Sequence, residues 1–314
     1  MTARIIMKLR VEAARLTTPK VMHLRLVHPL KPELPAWEPG AHVDLRLPDG
    51  KIRQYSLCGD PRDRGAYEIA VKREDAGRGA SRWAHETLKP GAIVHVSAPR
   101  NNFPLQTAER HIFVVGGIGV TPVLAMTRRL AERGADFAVH FCAPSETDAP
   151  MLAELRAICG DRLTTWFSAE GRRFDASLIG PPGAASCLYV CGPQRLLDAV
   201  RGATADLGWP EDLVHAEAFQ ATLDENFKPE PFDAKLASTG EVLHVPADRS
   251  LLDVLRDHGI TMPSSCELGV CGSCVCGYSE GVVIHRDAAI SVAARQDHIA
   301  PCVSRARVSV TLDL

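Results

Sequence analysis

Between residues 21 and 100, apolar and polar positions alternate in short runs broken by turn residues. VMHLRLVHP (21–29), HVDLRLPDG (42–50), YEIAVKRE (67–74) and AIVHVSAPR (92–100) each read as β-strands. Helical spacing in this region is confined to SRWAHETL (81–88). The pattern predicts a small antiparallel barrel. From His111 the period changes. HIFVV is an apolar strand that runs into GGIG and then a helix, with Thr121 expected as its N-cap and Pro122 at its first position. Strands over DFAVHFCA (136–143), LTTWFSA (163–169) and SCLYVCG (186–192) alternate with helical stretches such as PMLAELRAICG and PQRLLDAVRGATADLG. That alternation predicts a parallel doubly wound sheet. In ATLDENFKPEP (221–231), charge, prolines and the lack of an apolar period mark a linker. Beyond it, FDAKLAS (232–238) and GEVLHVP (240–246) form a predicted hairpin turned at Thr239-Gly240. SLLDVLRDHG is a helix with Ser250 as N-cap and Gly259 as its stop, and GVVIH and RVSVTLDL are later strands.

Composition removes several readings. The 314 residues are 46% hydrophobic and 24% charged, as expected of a globular protein with two or three domains. A formal net charge of -2 supplies no field for nucleic acid or an anionic membrane. The first twenty residues carry charges throughout and lack an apolar signal core. The longest apolar run, residues 111–126, is too short to span a bilayer and is broken by glycines and a proline. A cytoplasmic chain is expected, with its ten cysteines as thiols or metal ligands rather than disulfides.

The cysteines carry the most specific chemistry. CELGVCGSC (266–274) gives Cys266, Cys271 and Cys274 a C-x4-C-x2-C spacing, and Cys302 stands farther on. This is the plant-type 2Fe–2S pattern, in which a compact loop wraps thiolates around an iron pair and small glycines let N–H groups approach the sulfurs. Zinc is the alternative, although a structural zinc site usually offers a second close pair and Cys302 is solitary. A Rieske centre would need two histidines, and none lies in this loop. Cys276 reads as a bystander near the cluster.

In GGIG, Gly116, Gly117 and Gly119 would expose backbone N–H groups and a helix N-terminus to an anion, as a dinucleotide pyrophosphate requires. The same residues could form only a tight turn, since the stretch is not G-x-G-x-x-G. Cys191-Gly192-Pro193 ends an apolar strand, at the edge where such sheets bind ligands. Cys191 could equally be a buried small hydrophobe.

Together, RQYSL (53–57), GRGAS (77–81), GGIGVTP, the Cys-Gly-Pro turn and the C-terminal cysteine loop occur in the order seen in the phthalate dioxygenase reductase family, which the whole chain resembles. The resemblance implies a flavin-binding β-barrel over 1–106, an NAD-binding α/β domain over 107–224, a linker over 225–231 and a β-grasp 2Fe–2S ferredoxin domain over 232–314. It implies electron transfer from a reduced nicotinamide, through flavin and cluster, to a Rieske-type oxygenase acting on an aromatic or similar small substrate. By the same resemblance, Arg53 corresponds to an arginine at the flavin phosphate, within RQYSL that also holds Gln54. Tyr55 would lie along the isoalloxazine, and Ser56 would offer a hydrogen bond near its N5. Ala70, Val71 and Lys72 match the strand bordering the flavin. Arg78, Gly79, Ala80 and Ser81 match the phosphate loop, with Ala80 where the family usually has glycine. Thr121 matches a threonine beside the flavin, and Phe219 matches the aromatic residue that covers the ring where nicotinamide stacks.

Taken singly, Arg53 and Lys72 could be solvated barrel charges, Tyr55 and Phe219 core residues, and His85 and His215 packing residues. CAPSETDAP (142–150) holds Glu146 and Asp148 and no Arg or Lys, which predicts NADH over NADPH. FMN is expected rather than FAD, because Arg78 would close on a terminal phosphate and no nearby aromatic insertion would stack an adenine. A monomer is expected. A stand-alone NADH:acceptor oxidoreductase without an oxygenase partner, and a metal-binding interaction module, stay open on sequence alone.

Overall fold

The computed structural model describes residues 5–48, 50, 52–75, 79–183, 185–219, 227–264 and 266–314. It divides into two compact units, Met1–Glu217 and Ala218–Leu314.

The first unit opens with a barrel. Strands β1 (Ile6–Thr18), β2 (Val21–Val27), β3 (Ala41–Arg46), β4 (Ile52–Ser56) and β5 (Ala66–Lys72) are followed by helix α1 (Ala80–Thr87), β6 (Ile93–Ser97) and a short β7 (Arg100–Asn101). The strands form one antiparallel sheet in the order β4-β3-β6-β1-β2-β5, with β7 on β3. A bridge between Leu57 and Ile69, and a bond of 2.9 Å from the Cys58 N–H to the Glu68 carbonyl, join the two ends and close the sheet. Inward positions such as Leu9, Val11, Leu24, Val43, Ile69 and Val96 are buried. Strand β1 adds to the expected elements. Leu9 and Val11 point inward between exposed Lys8 and Glu12, and a register shift after Val11 then interrupts the alternation.

The rest of the unit comprises β8 (Arg110–Gly116), α2 (Val120–Glu132), β9 (Asp136–Ala143), α3 (Leu152–Cys159), β10 (Leu163–Phe167), β11 (Ser186–Cys191), α4 (Gln194–Asp206) and β12 (Val214–Glu217). All five strands are parallel, in the order β10-β9-β8-β11-β12. Strand β11 is buried at every position and β8 at all but its first, as central strands covered on both faces must be. Helix α2 packs on β8 and β9, and α4 on β11 and β12.

Thr121 does not cap α2 as expected. A 3-10 turn over Gly117–Gly119 feeds the helix directly, which makes Gly119 the N-cap and puts both Thr121 and Pro122 inside the first turn. The Thr121 hydroxyl instead donates to the Ile118 carbonyl at 3.0 Å.

Tyr189 on β11 ties barrel to sheet. Its ring is fully buried between Phe113, Phe103 and His215, and its hydroxyl accepts from the Gln106 N–H (2.7 Å) and donates to the Pro104 carbonyl (3.1 Å). The ion pairs Arg15–Glu154 (2.6 Å) and Arg62–Glu132 (2.8 Å) also join the two halves.

The second unit carries β13 (Phe232–Leu236), β14 (Val242–Val245), α5 (Leu251–Asp257), β15 (Cys276–Ile284), β16 (His298–Ile299) and β17 (Arg305–Leu312). The sheet order is β14-β13-β17-β15-β16, with β13 and β17 parallel and the other pairs antiparallel. Helix α5 buries Leu251, Leu252, Val254 and Leu255 against Phe232 and Leu243. The expected cap at Ser250 is formed, its hydroxyl accepting from the Asp253 N–H at 3.1 Å. Arg305 is buried and donates to the carbonyls of Glu230, Pro246 and Arg249, each at 2.8 Å, which fastens the chain just before β13 and just after β14 to the start of the central strand β17. Among the described residues, no helix is long and apolar enough to cross a membrane.

Candidate functional site

Barrel closure brings the first group of expected residues together. Arg53, Gln54, Tyr55 and Ser56 lie on β4, Ala70, Val71 and Lys72 end β5, and these are the two strands that the Leu57–Ile69 bridge joins. Tyr55 packs on the barrel core, and burial pushes its phenol up to about 12 despite Arg53 nearby. Ser56, Ala70 and Val71 are buried, whereas Lys72 is exposed and pairs with Glu74 at 2.6 Å. Arg53 donates to the Ile52 carbonyl at 2.7 Å. Gln54 Nε2 lies 2.9 Å from His42 Nε2. Burial, and next the Arg100 charge, lower His42 to about 4 and keep it neutral.

Gly79 turns the chain into α1 with φ of 88°, a conformation that favours glycine. Ala80 is then an ordinary first helical residue, so the departure from the family pattern leaves the turn intact. The Ser81 hydroxyl accepts from the Glu74 N–H at 3.0 Å and ties this loop to the end of β5. Arg78 lies outside the described residues. No side chain caps α1, α2 or α4, and none of the three has an acidic residue in its first turn. Helix α5 differs, with both Ser250 and Asp253 at its start. The three uncapped ends offer donors and positive dipole ends to an anion.

The second group meets at the carboxyl ends of β8 and β11. These strands are neighbours whose helices leave in opposite directions along the sheet, which is the point where open α/β sheets bind nucleotides. Gly119 is pressed against the Cys191-Gly192 peptide so closely that a Cβ there would lie 2.2 Å from the Cys191 carbonyl oxygen. A Cβ on Gly116 would lie 2.7 Å from Pro193. Gly117 faces open space.

Two residues at this end were not singled out by motif. Glu217 pairs in register with Cys191, and its carboxylate oxygen is 4.0 Å from the thiol. Desolvation raises Glu217 to about 8 and, with Glu217 beside it, pushes the Cys191 thiol well above its usual range. Only parallel strand register joins the two, and it is invisible before the sheet order is known. The second is Arg156 on α3, whose guanidinium pairs with Glu146 in the loop after β9. Phe219 stands two residues past β12, half-buried, beyond the boundary between the units.

In the second unit the four expected cysteines stand as two close pairs. Cys266 pairs with Cys271, and Cys274 with Cys302. Sharing a proton lowers Cys271 to about 5 and raises Cys266, and in the same way lowers Cys274 and raises Cys302. The Leu268 N–H donates to Cys266 Sγ at 3.3 Å, and Cys271 Sγ and the Ser273 hydroxyl are in hydrogen-bond contact at the same distance. Two thiol pairs, three cysteines from the 266–274 loop and Cys302 from the turn after β16, fit a two-iron cluster with two ligands per iron, and backbone N–H groups already face the sulfurs. Cys276 lies outside both pairs, and burial pushes its thiol up to about 12.

A family model described as a 2Fe-2S iron-sulfur cluster binding domain matches residues 234–307. Similar proteins include the beta subunit of a heme-dependent oxidative N-demethylase from Ectopseudomonas mendocina, 40% identical over 98% of this chain and 99% of that protein. A vanillate O-demethylase oxidoreductase from a Pseudomonas species is 38% identical over 97% of this chain and 98% of its own length. The solved structure of phthalate dioxygenase reductase, described as modular and built for electron transfer from pyridine nucleotides to 2Fe–2S, superposes with a TM-score of 0.81 at 35% identity. The match covers 98% of both chains.

Proposed function

The chain belongs to the phthalate dioxygenase reductase family of oxidoreductases, and from that premise we propose that it passes electrons from NADH, by way of FMN and a 2Fe–2S cluster, to a Rieske-type oxygenase acting on an aromatic or similar small substrate. The observation that carries the reading is the convergence of Cys266 with Cys271 and of Cys274 with Cys302, in a chain whose other unit ends its central parallel strands in apposed glycine turns.

When bound, the flavin takes a hydride and the cluster carries single electrons. The chain's residues hold and shield these groups. Arg53 and the uncapped start of α1 at Gly79, Ala80 and Ser81 would hold the flavin phosphate, with Arg78 closing on it. Tyr55, Ser56, Ala70 and Val71 form a mostly buried wall for the ring, and water excluded from such a wall cannot compete for the hydride. Gly116, Gly117 and Gly119, facing Cys191, Gly192 and Pro193, leave backbone N–H groups for the pyrophosphate. Thr121 and Phe219 would border the nicotinamide, with Phe219 moving aside as the cosubstrate enters. Cys266, Cys271, Cys274 and Cys302 would hold the iron pair as thiolates, giving up their protons on binding.

A visible spectrum of the purified protein tests the core of this. Flavin bands overlaid on 2Fe–2S absorption are expected, and a colourless zinc protein would overturn it. Flavin released by denaturation should run as FMN, and FAD as the sole species would refute that choice. NADH should exceed NADPH in kcat/KM. A second reading, a heme-dependent oxygenase as partner, is favoured by one observation: the 40% identical N-demethylase subunit serves a system named as heme-dependent. Reduction of purified Rieske and heme oxygenase components, side by side, separates the two.

A further inference from the structure

We propose that Arg256 and Glu267 form a clamp that positions the hydrogen-bond donors on Cys266 and so sets the reduction potential of the cluster. The proposal rests on the 2Fe–2S reading above and adds to it two side chains outside the ligand set.

The cysteine loop takes the left-handed backbone conformation at residues 267, 269 and 272, with φ of 54°, 74° and 68°. Gly269 and Gly272 adopt it without steric cost. Glu267 does not, because its Cβ crowds the following carbonyl there. Among the described residues, Met151 is the one other non-glycine residue with positive φ. A strained residue beside a cluster ligand persists only where its surroundings hold it.

Arg256 supplies the hold. It stands in the last turn of α5, and its Nη2 donates both to the Glu267 carboxylate, at 2.6 Å, and to the Ser264 hydroxyl. Asp253 lies 3.6 Å from the other amino group of the same guanidinium. Arg256 therefore grips the chain on both sides of Cys266, which is itself buried. The turn at Glu267 aims the Leu268 N–H at Cys266 Sγ, 3.3 Å away, and the Val270 N–H donates to the same sulfur. Were Glu267 to relax out of the left-handed region, both donors would swing off the sulfur.

A 2Fe–2S cluster gains one negative charge on reduction, and N–H groups at its sulfurs stabilise that charge. A clamp that keeps them in place favours the reduced form. An ion pair this exposed, at 38% and 21%, adds little stability of its own, so its effect lies in the backbone it fixes. Charge and grip make opposite forecasts for Glu267. Removing its negative charge alone would ease reduction, whereas removing its grip hinders it.

A redox titration of the full-length holoprotein, followed by the EPR signal of the reduced cluster, tests the clamp. Glu267→Ala should lower the ratio of reduced to oxidised cluster about tenfold at a fixed potential, a shift of about 59 mV for one electron. Glu267→Gly should return the potential to the parent's value or above, because glycine holds the left-handed turn unaided. Arg256→Lys keeps the charge but not the planar set of donors, and should lower the potential as Glu267→Ala does. No shift with Arg256→Lys would mean that charge rather than grip is what counts, and the clamp would fall. A rise or no change with Glu267→Ala would overturn it as well, as would a glycine variant no better than the alanine one. Should Glu267→Ala lose its cluster, iron content replaces the potential as the readout. Glu267→Gly should then load iron as the parent does, and an equal loss in both variants would refute the proposal. A parent that shows no such EPR signal on reduction would instead remove the 2Fe–2S reading on which the clamp rests.

Discussion

His42 is a buried imidazole between Arg100 and Asp44, held neutral to about pH 4 by burial and by the arginine. An unfolded chain takes up that proton near 6.5, whereas the folded chain resists it until about 4. Stability is therefore intact above 6.5 and is lost as pH falls through 4, by roughly 3 kcal/mol once both values are passed. Denaturant unfolding at pH 7 and pH 4 should show this loss, and His42→Gln should shrink it. Glu217 works in the opposite sense. The unfolded chain loses its carboxyl proton near 4.5 and the folded chain keeps it to about 8, so stability declines as pH rises across that window and levels off above it. Relative to the parent, Glu217→Gln should be better tolerated at pH 9 than at pH 5 when unfolding free energies are compared. Neither residue carried a local signature. The four cysteines did, because a cluster loop fixes its ligands by sequence spacing, whereas His42 and Glu217 are shifted by neighbours that only the folded sheets supply.

At the level of elements, the junction of β8, the glycine turn and α2 is the least tolerant of change. A methyl group on Gly119 would collide with a main-chain carbonyl that cannot swing away as a side-chain tip could. Gly119→Ala should cost about 2 kcal/mol, the scale of overpacking in a filled site. KM for the dinucleotide should rise with it, because the clash parts the two turns. A differential scanning calorimetry trace and NADH titration would show both, and an unaltered KM would mean that the turns do not form the nucleotide site. Strands and helices with a clear period, such as HIFVV and SLLDVLRDHG, were legible in sequence. The start of α2 was misread because a threonine before a proline looks like a cap, and only the preceding 3-10 turn removes the need for one. Strand β1 was overlooked because its outward charges dominate the pattern and its bulge breaks the alternation.

For the whole molecule, the division after Glu217 allows electron flow to be cut between units. A chain ending at Asn226 should keep reducing ferricyanide with NADH, because that acceptor can take electrons directly from flavin. It should fail with cytochrome c or an oxygenase, which require the one-electron cluster. Cys271→Ser in the full chain should divide the activities in the same way, since it removes one partner of a thiol pair. An oxygenase driven at full rate by the truncated protein would take the cluster off the path. The order of barrel, parallel sheet and ferredoxin-like unit was legible because each has its own hydrophobic period. The contacts that join barrel to sheet, such as Arg15–Glu154, carry no local signal because they pair residues far apart in sequence.

Tyr189 has a further consequence, for melting. Its ring is built into the core of the parallel sheet, while its hydroxyl grips both polar groups it can reach on the strand-to-strand connector leaving the barrel. Neither half can loosen without exposing the other's interior, so barrel and sheet should unfold in one calorimetric transition although each has the makings of a separate folding unit. Tyr189→Phe keeps the ring and releases the connector. In a chain ending at Asn226, its heat-capacity peak should broaden or split, with a van't Hoff enthalpy below the calorimetric one, while the two values agree for the same chain with Tyr189 in place.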